Sequence, residues 1–135
     1  MIPKLTKAGR NLKKIRETLP KLVRDKVPEH IISDELVPVY HFAGDEEYES
    51  FLKLKLREEV NELIDGFDEF MKGDFSEVAD VLDVVNAIVM HAHSTHIGGV
   101  TVANARKAKA RTKGSFDKRI ILEGFLDRSK VNENY

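Results

Sequence analysis

The chain has 135 residues, no cysteine, and 22 Lys and Arg residues against 23 Asp and Glu residues. This length favours one domain with a substantial hydrophobic core, and the lack of cysteine excludes disulfides and thiolate metal sites. The sequence starts without the apolar stretch of a signal peptide, and no apolar run approaches the ~20 residues that cross a bilayer. We therefore expect a cytoplasmic protein with no membrane partner.

The net charge of −1 conceals a strong segregation of charge along the chain. Residues 1–26 carry nine bases against two acids, residues 29–83 carry 17 acids against four bases, and residues 104–135 carry nine bases against four acids. Either the acidic middle and the basic ends neutralise each other within the fold, or the acidic middle binds a metal and the basic ends supply anion-binding groups that fold over it.

Residues 1–20 form a basic N-terminal extension. We interpret it as a solvated extension rather than an arm for nucleic acid or phosphate, because no aromatic residues interleave its bases for stacking. Residues 21–33 predict a short helix that Pro28 starts or breaks. Arg24 in this segment forms either a local ion pair or a ligand, and the sequence leaves both open. Residues 34–44 predict a loop or a short extended piece.

A first long helix is predicted over residues 45–72, with Asp45 as its N-cap. Its apolar side chains form one stripe, which consists of Leu52, Leu56, Val60, Leu63, Phe67, Phe70 and Met71. Glu59 and Glu62 lie on one flank of that stripe, and Lys55 and Gly66 share the flank. A glycine within a helix costs on the order of 1 kcal/mol relative to Ala, so Gly66 predicts close approach of another backbone or a ligand.

A second long helix is predicted from about Asp74, as N-cap, to residues 93–96. Its apolar side chains run almost all the way round, which is typical of a buried helix. Glu77, Asp80 and Asp83 nevertheless recur at every third position. Buried carboxylates require pairing or a metal, so a lysine, an arginine or a metal ion is expected beside this helix.

The remaining chain predicts a basic third helix over residues 100–112, a turn at 113–115 and a short apolar segment at 116–126. We expect one domain over residues 21–127 and a tail over 128–135. His91, His93 and His96 form an HxHxxH stretch at the end of the second long helix. We interpret them as exposed helix-terminal residues that the helix dipole favours, rather than as a metal site, because positions two apart on a helix do not face each other.

Two antiparallel helices joined by a tight turn bring Glu59 and Glu62 opposite Glu77 and Asp80. Four converging carboxylates repel one another unless a divalent cation compensates them, and all-oxygen sites suit Mg²⁺ or Mn²⁺. We predict an all-α fold, a helical bundle around two long antiparallel acidic helices. Because the second helix is apolar on so many sides, we also expect a homodimer or a higher homo-oligomer.

The motif Glu58-Glu59-x-x-Glu62 followed by Glu77-x-x-Asp80 resembles the EExxE…ExxD signature of the all-α nucleoside triphosphate pyrophosphohydrolases, the MazG-like superfamily. The likeness is greatest to its phosphoribosyl-ATP pyrophosphohydrolase-like branch and extends over residues 21–122. It includes the segments LVRDKVP at 22–28 and KGSFDKRI at 113–120. The sequence departs from the family pattern at Ser115, where a second glycine is frequent, and at Asp83, where Glu is frequent.

The resemblance implies Mg²⁺-dependent hydrolysis of a nucleoside triphosphate to a monophosphate and pyrophosphate, as in the clearing of unwanted nucleotides. Glu59, Glu62, Glu77 and Asp80 would bind the metal, and Glu58 or Glu59 would orient and deprotonate the attacking water. The candidate substrate-binding residues are Lys55, Asp83, Asn86, Arg106, Lys107, Lys109, Arg111 and Lys113. Asn86 contacts a base or sugar in this interpretation, and a core amide is the alternative.

Two rival functions remain open at this point. One is hydrolysis of phosphoribosyl-ATP in histidine synthesis. The other is a non-catalytic helical module that binds a protein or a nucleic acid through the basic ends of the chain. Such a module has no need of the four converging acids.

Overall fold

A computed structural model describes residues 18–95 and 101–131, and within these ranges the protein is all-α, with helices and no strands. The predictions for residues 1–17, His96 and the last four residues lie outside the described part. The helices, numbered in chain order, are α1 (Val27–Ser33), α2 (Asp45–Asp65), α3 (Phe67–Met71), α4 (Ser76–Thr95), α5 (Val102–Lys113) and α6 (Arg128–Val131). No helix in the described ranges is both long and apolar enough to span a bilayer.

The chain divides into two compact units, with the boundary between Ile97 and Gly98. The first unit contains α1 to α4, and its main contact is between α2 and α4. Glu49 near the start of α2 pairs with His91 near the end of α4, so the two helices run antiparallel. Leu52 of α2, with 3% of its surface exposed, is the one buried apolar residue in the described ranges.

The first long helix is interrupted where the sequence analysis predicted continuity. Helix α2 ends at Asp65, Gly66 is its C-cap, and α3 follows at once. The N–H of Gly66 donates to the carbonyl of Glu62, and its own carbonyl accepts from Phe70. The prediction of Asp45 as N-cap was also wrong, because Gly44 holds that position and Asp45 opens the first turn.

The second long helix begins at Ser76, two residues later than the predicted cap. Oδ1 of Asp74 accepts hydrogen bonds from the backbone N–H of Ser76, at 3.2 Å, and from its hydroxyl, at 2.7 Å. These bonds lower the pKa of Asp74. Phe75 packs edge-on against Phe70 of α3, with ring centroids 5.5 Å apart, and this contact closes the turn between the helices.

Helix α4, whose composition is typical of a buried helix, has no buried residue in the described part of a single chain. Helices α2 and α3 pack on one side of α4. On the other side the side chains of Leu82 and Met90 are 60% and 61% exposed, and Val85 is also exposed. The first unit thus leaves an apolar face of α4 uncovered, which we call the outer face of α4 and define by these three residues.

The second unit consists of α5, an irregular segment and α6. Thr101 caps α5, because its hydroxyl oxygen accepts from the N–H of Asn104. Gly114, with a φ of 81°, ends the helix. The apolar side chains between Phe116 and Leu126 are exposed and form no helix. This segment therefore adds no buried core of its own.

Candidate metal centre

Four carboxylates from the two long helices converge at the end of the pair nearest the α3–α4 turn. One oxygen from each lies within 4.8 Å of the others, and the four residues are Glu59, Glu62, Glu77 and Asp80. Each helix contributes two acids three positions apart, a spacing that places both on one face. The packed faces of α2 and α4 therefore bring the ExxE and ExxD motifs together.

Gly66 permits this convergence. A Cβ atom at this position would lie 3.2 Å from the carbonyl oxygen of Glu62 and 3.7 Å from Cγ of Glu77. The first distance is tighter than ordinary van der Waals contact. The close neighbour of Gly66 on α4 is thus the side chain of Glu77, rather than the backbone or ligand considered from the sequence.

Glu59 is the most buried acid of the group, with 6% of its surface exposed. Its Oε1 lies 3.1 Å from Nζ of Lys55, while its Oε2 is buried without a hydrogen-bond partner. Burial raises the pKa of Glu59 above its usual range, and the nearby Glu62 adds to the rise, although Lys55 opposes it. Oε2 of Glu77 is likewise buried without a hydrogen-bond partner.

Glu58 differs from Glu59, its neighbour in sequence, because lysines contact both of its oxygens. Its Oε1 lies 3.1 Å from Nζ of Lys21, and its Oε2 lies 3.5 Å from Nζ of Lys55. Burial alone would raise the pKa of Glu58, but the hydrogen bond from Lys21 and the charges of the two lysines outweigh burial and lower it. Glu58 is therefore a paired, ionised carboxylate at neutral pH.

Arg24 binds the acids of α4 from the segment before α1. Its guanidinium lies 2.7 Å from Oδ1 of Asp80 and 2.8 Å from Oδ2 of Asp83. The hydrogen bonds to Asp83 and Asp80 raise the pKa of Arg24. A lysine, an arginine or a metal ion was expected beside α4, and Arg24 is the arginine found there; the sequence had left Arg24 open as a local ion pair or a ligand. Lys21 was not predicted as part of the site.

Acidic charge exceeds basic charge at this site. Six carboxylates, the four converging ones together with Glu58 and Asp83, meet three basic side chains, Lys21, Arg24 and Lys55. With all groups ionised, three negative charges remain without an opposite charge among these contacts. Such an excess in a partly desolvated site favours the binding of a further cation.

The donor set fits a hard divalent cation. All four converging groups are carboxylates, which Mg²⁺ and Mn²⁺ prefer over nitrogen or sulfur ligands. The two buried oxygens without hydrogen bonds, on Glu59 and Glu77, are the atoms that gain most from a cation, because an unsatisfied buried acceptor is costly.

The remaining predicted substrate-binding residues lie in different surroundings. Lys55 contacts Glu58 and Glu59, Asp83 contacts Arg24, and Asn86 is exposed on α4 rather than held in a core. The basic residues of α5 are exposed within the second unit, and their role in the site stays a prediction; they are Arg106, Lys107, Lys109, Arg111 and Lys113.

The described histidines of the HxHxxH stretch do not share one environment. Nε2 of His91 lies 3.2 Å from Oε1 of Glu49, and its ring packs edge-on against Tyr48 at 5.1 Å between centroids. His91 is thus half-buried, contrary to the expectation of an exposed residue. His93 is exposed, as expected.

A cavity of about 240 Å³ borders the site on the α2 side. It shares Lys21, Lys55 and Glu58 with the site, and Leu22, Pro20, Phe51 and Leu54 supply apolar walls. The cavity therefore places apolar surface next to charged groups.

The chain matches no protein family model, no curated protein and no solved structure.

Proposed function

We propose that the protein hydrolyses a nucleoside triphosphate to a nucleoside monophosphate and pyrophosphate, in a reaction that depends on Mg²⁺ or Mn²⁺. The observation that carries the proposal is the convergence of four carboxylates within 4.8 Å, two of them with a buried oxygen that lacks a hydrogen bond. The EExxE…ExxD motif that these residues form resembles the signature of the MazG-like pyrophosphohydrolases.

Phosphoryl transfer requires positioning and charge neutralisation more than covalent chemistry from the protein. A bound divalent cation would supply neutralisation of the phosphate oxygens. The chain holds the four ligands on two packed helices, so the acids are placed before any substrate arrives. Lys55 lies 3.1 Å from Glu59 and favours its charged form, so it opposes the rise in the pKa of Glu59 that burial causes.

Glu59 is a better candidate than Glu58 for orienting the attacking water. Lysines contact both oxygens of Glu58, so neither is free to take a proton from water. Oε2 of Glu59 is buried without a hydrogen-bond partner, and in this proposal it is the oxygen that would contact a cation or accept a water proton. Glu58 then serves to hold Lys21 and Lys55 in place.

In this proposal, the half-open cavity beside Glu58 receives the organic part of the nucleotide. Phe51 and Leu54 present apolar surface, while Lys21 and Lys55 lie on the side of the site. A ligand that fills this cavity would carry its charged part toward the carboxylates. Phosphoribosyl-ATP is a second candidate substrate of the same chemical class.

We further propose that two or more copies of the chain associate through the outer face of α4. Leu82 and Met90 on that face are largely exposed, and the described part of the first unit contains a single buried apolar residue. A helical bundle around α2 and α4 is then completed between chains. Sedimentation equilibrium should give a mass of at least twice the 15.4 kDa of the chain.

The test of the proposed reaction is pyrophosphate release from a panel of canonical and modified nucleoside triphosphates and phosphoribosyl-ATP, with Mg²⁺ and with EDTA. We expect release that requires Mg²⁺ and that falls about a hundredfold or more in Glu59→Gln, because the variant loses a charged ligand. The same variant without metal should unfold at a higher temperature than wild type at pH 7, because burial and Glu62 disfavour the charged form of Glu59.

Asp65→Asn is the matched control, since Asp65 is an exposed acid on the same helix and its replacement should leave turnover unchanged. A wild-type protein that binds Mn²⁺ but releases pyrophosphate from none of these substrates would contradict the reaction. Salt-sensitive binding of RNA or DNA without metal would then favour the non-catalytic alternative.

A further inference from the structure

The ion pairs of Arg24 are more exposed to solvent than those of the two lysines of the site. The side chain of Arg24 is 59% exposed, whereas those of Lys21 and Lys55 are 14% and 15% exposed. An exposed ion pair contributes little to stability, because water screens it and both side chains lose freedom. Arg24 can therefore leave its partners at small cost.

Arg24 also forms an ion pair with Asp80, which is one of the carboxylates of the candidate metal centre. Its Nη2 lies 2.7 Å from Oδ1 of Asp80, and its Nη1 lies 2.8 Å from Oδ2 of Asp83. A guanidinium and a divalent cation are both attracted to the negative charge of Asp80, so the presence of one lowers the affinity of the site for the other. Once a cation neutralises Asp80, the guanidinium loses one of its two partners.

The chemistry of arginine suits it to a second partner at this place. A guanidinium presents parallel N–H donors in a planar fork that matches two phosphate oxygens, and such bidentate contacts are among the strongest hydrogen bonds. The backbone around Arg24 belongs to an irregular segment before α1, and α1 contains no fully buried residue. The side chain of Arg24 is itself exposed, so it can change partners without unpacking a buried residue.

We propose that Arg24 is a phosphate-binding residue of this site, whose guanidinium leaves Asp80 and Asp83 for phosphate oxygens when a divalent cation is bound. This inference rests on the proposed function and adds to it the residue that receives the charged part of the substrate. Before substrate arrives, Arg24 acts as an internal cation that lowers the affinity for metal. After metal binds, the same side chain raises the affinity for an oligophosphate.

The test compares Arg24→Ala and Arg24→Lys with wild type in two calorimetric titrations, and uses Lys26→Ala, an exposed cation nearby, as the control. With Mn²⁺ alone, Arg24→Ala should bind about two- to fivefold more tightly than wild type, since a competing exposed ion pair is removed. With inorganic triphosphate in saturating Mg²⁺, the same variant should bind about tenfold or more weakly, since a charge-assisted contact is lost.

Arg24→Lys should restore the charge but not the bidentate contact, so its triphosphate affinity should lie between those of wild type and Arg24→Ala. Equal Mn²⁺ and triphosphate affinities in wild type and Arg24→Ala would overturn the inference while leaving the reaction standing, if wild type still releases pyrophosphate. A wild-type protein that neither binds Mn²⁺ nor turns over substrate would overturn both.

Discussion

The acids of α2 and those of α4 are paired with basic side chains in different ways. Glu58 and Glu59 on α2 are held by lysines that are almost enclosed, and one of these, Lys55, comes from the same helix. Asp80 and Asp83 on α4 are held by an arginine that is largely open to water. Lysines in enclosed surroundings fix the geometry of a site, while an exposed arginine can exchange partners.

The largest effect on stability is expected where the pairing is most enclosed. Replacing Lys55 by Met leaves Glu59 buried beside Glu62 without its opposite charge, which should cost about 2–3 kcal/mol of unfolding free energy. Urea denaturation at pH 7 measures this loss, and added Mg²⁺ should recover part of it.

Lys53→Met is the control for this experiment, because Lys53 is an exposed lysine on the same helix. It should change the unfolding free energy by less than about 0.5 kcal/mol. Equal stability of the two variants would mean that the enclosed lysine does not fix the geometry.

A smaller effect, and one that depends on pH, is expected at Lys21. The folded state lowers the pKa of Glu58, so this group stabilises the fold above its ordinary pKa and loses that effect as the pH falls through its folded pKa. Lys21→Ala should therefore cost about 1 kcal/mol at pH 7 and progressively less below about pH 4, where wild type and variant converge. Denaturation curves at a series of pH values measure the difference, and a difference that grows on acidification would contradict the assignment.

The smallest effect is expected at Arg24. Its pairs with Asp80 and Asp83 are exposed, so Arg24→Ala should lower the unfolding free energy by less than about 1 kcal/mol without metal. Thermal denaturation in EDTA measures this value. A loss as large as that of Lys55→Met would show that the two sides of the site are equally fixed.

The convergence of the acids could be predicted from the sequence, because it depends on local rules. The three-residue spacing in ExxE and ExxD places each pair on one helical face, and a tight turn after Gly73 makes the helices antiparallel. The all-α class followed from the same periodicity. These features need no knowledge of distant contacts.

Lys55 could be predicted from its spacing to Glu59, but the pairings of Lys21 and Arg24 could not, because these residues come from far along the chain. Lys21 and Glu58 are 37 residues apart, and Arg24 and Asp80 are 56 apart. No periodic pattern links such positions. The break at Gly66 was missed for another reason: the apolar stripe continues across it through Phe67 and Phe70, so periodicity alone favours an unbroken helix.

The composition of α4 could not predict that one of its apolar sides is exposed in the single chain. An apolar sequence indicates that a surface is to be covered, but not whether the covering surface belongs to the same chain. Within the first unit, α2 and α3 cover one side of α4, and Leu82 on the other side is 60% exposed. Composition thus predicted the need for burial rather than its source.

The missing side chain of Gly66 has a consequence for recognising related proteins. A Cβ at this position would lie 3.2 Å from the carbonyl oxygen of Glu62, so a substitution would press on the backbone of the ExxE motif without altering a charge. Proteins that share the site should therefore share the glycine at its place between the two acidic motifs. In this chain, the glycine follows ExxE after three residues, and ExxD follows the glycine after ten. This spacing describes the site more specifically than the acids alone.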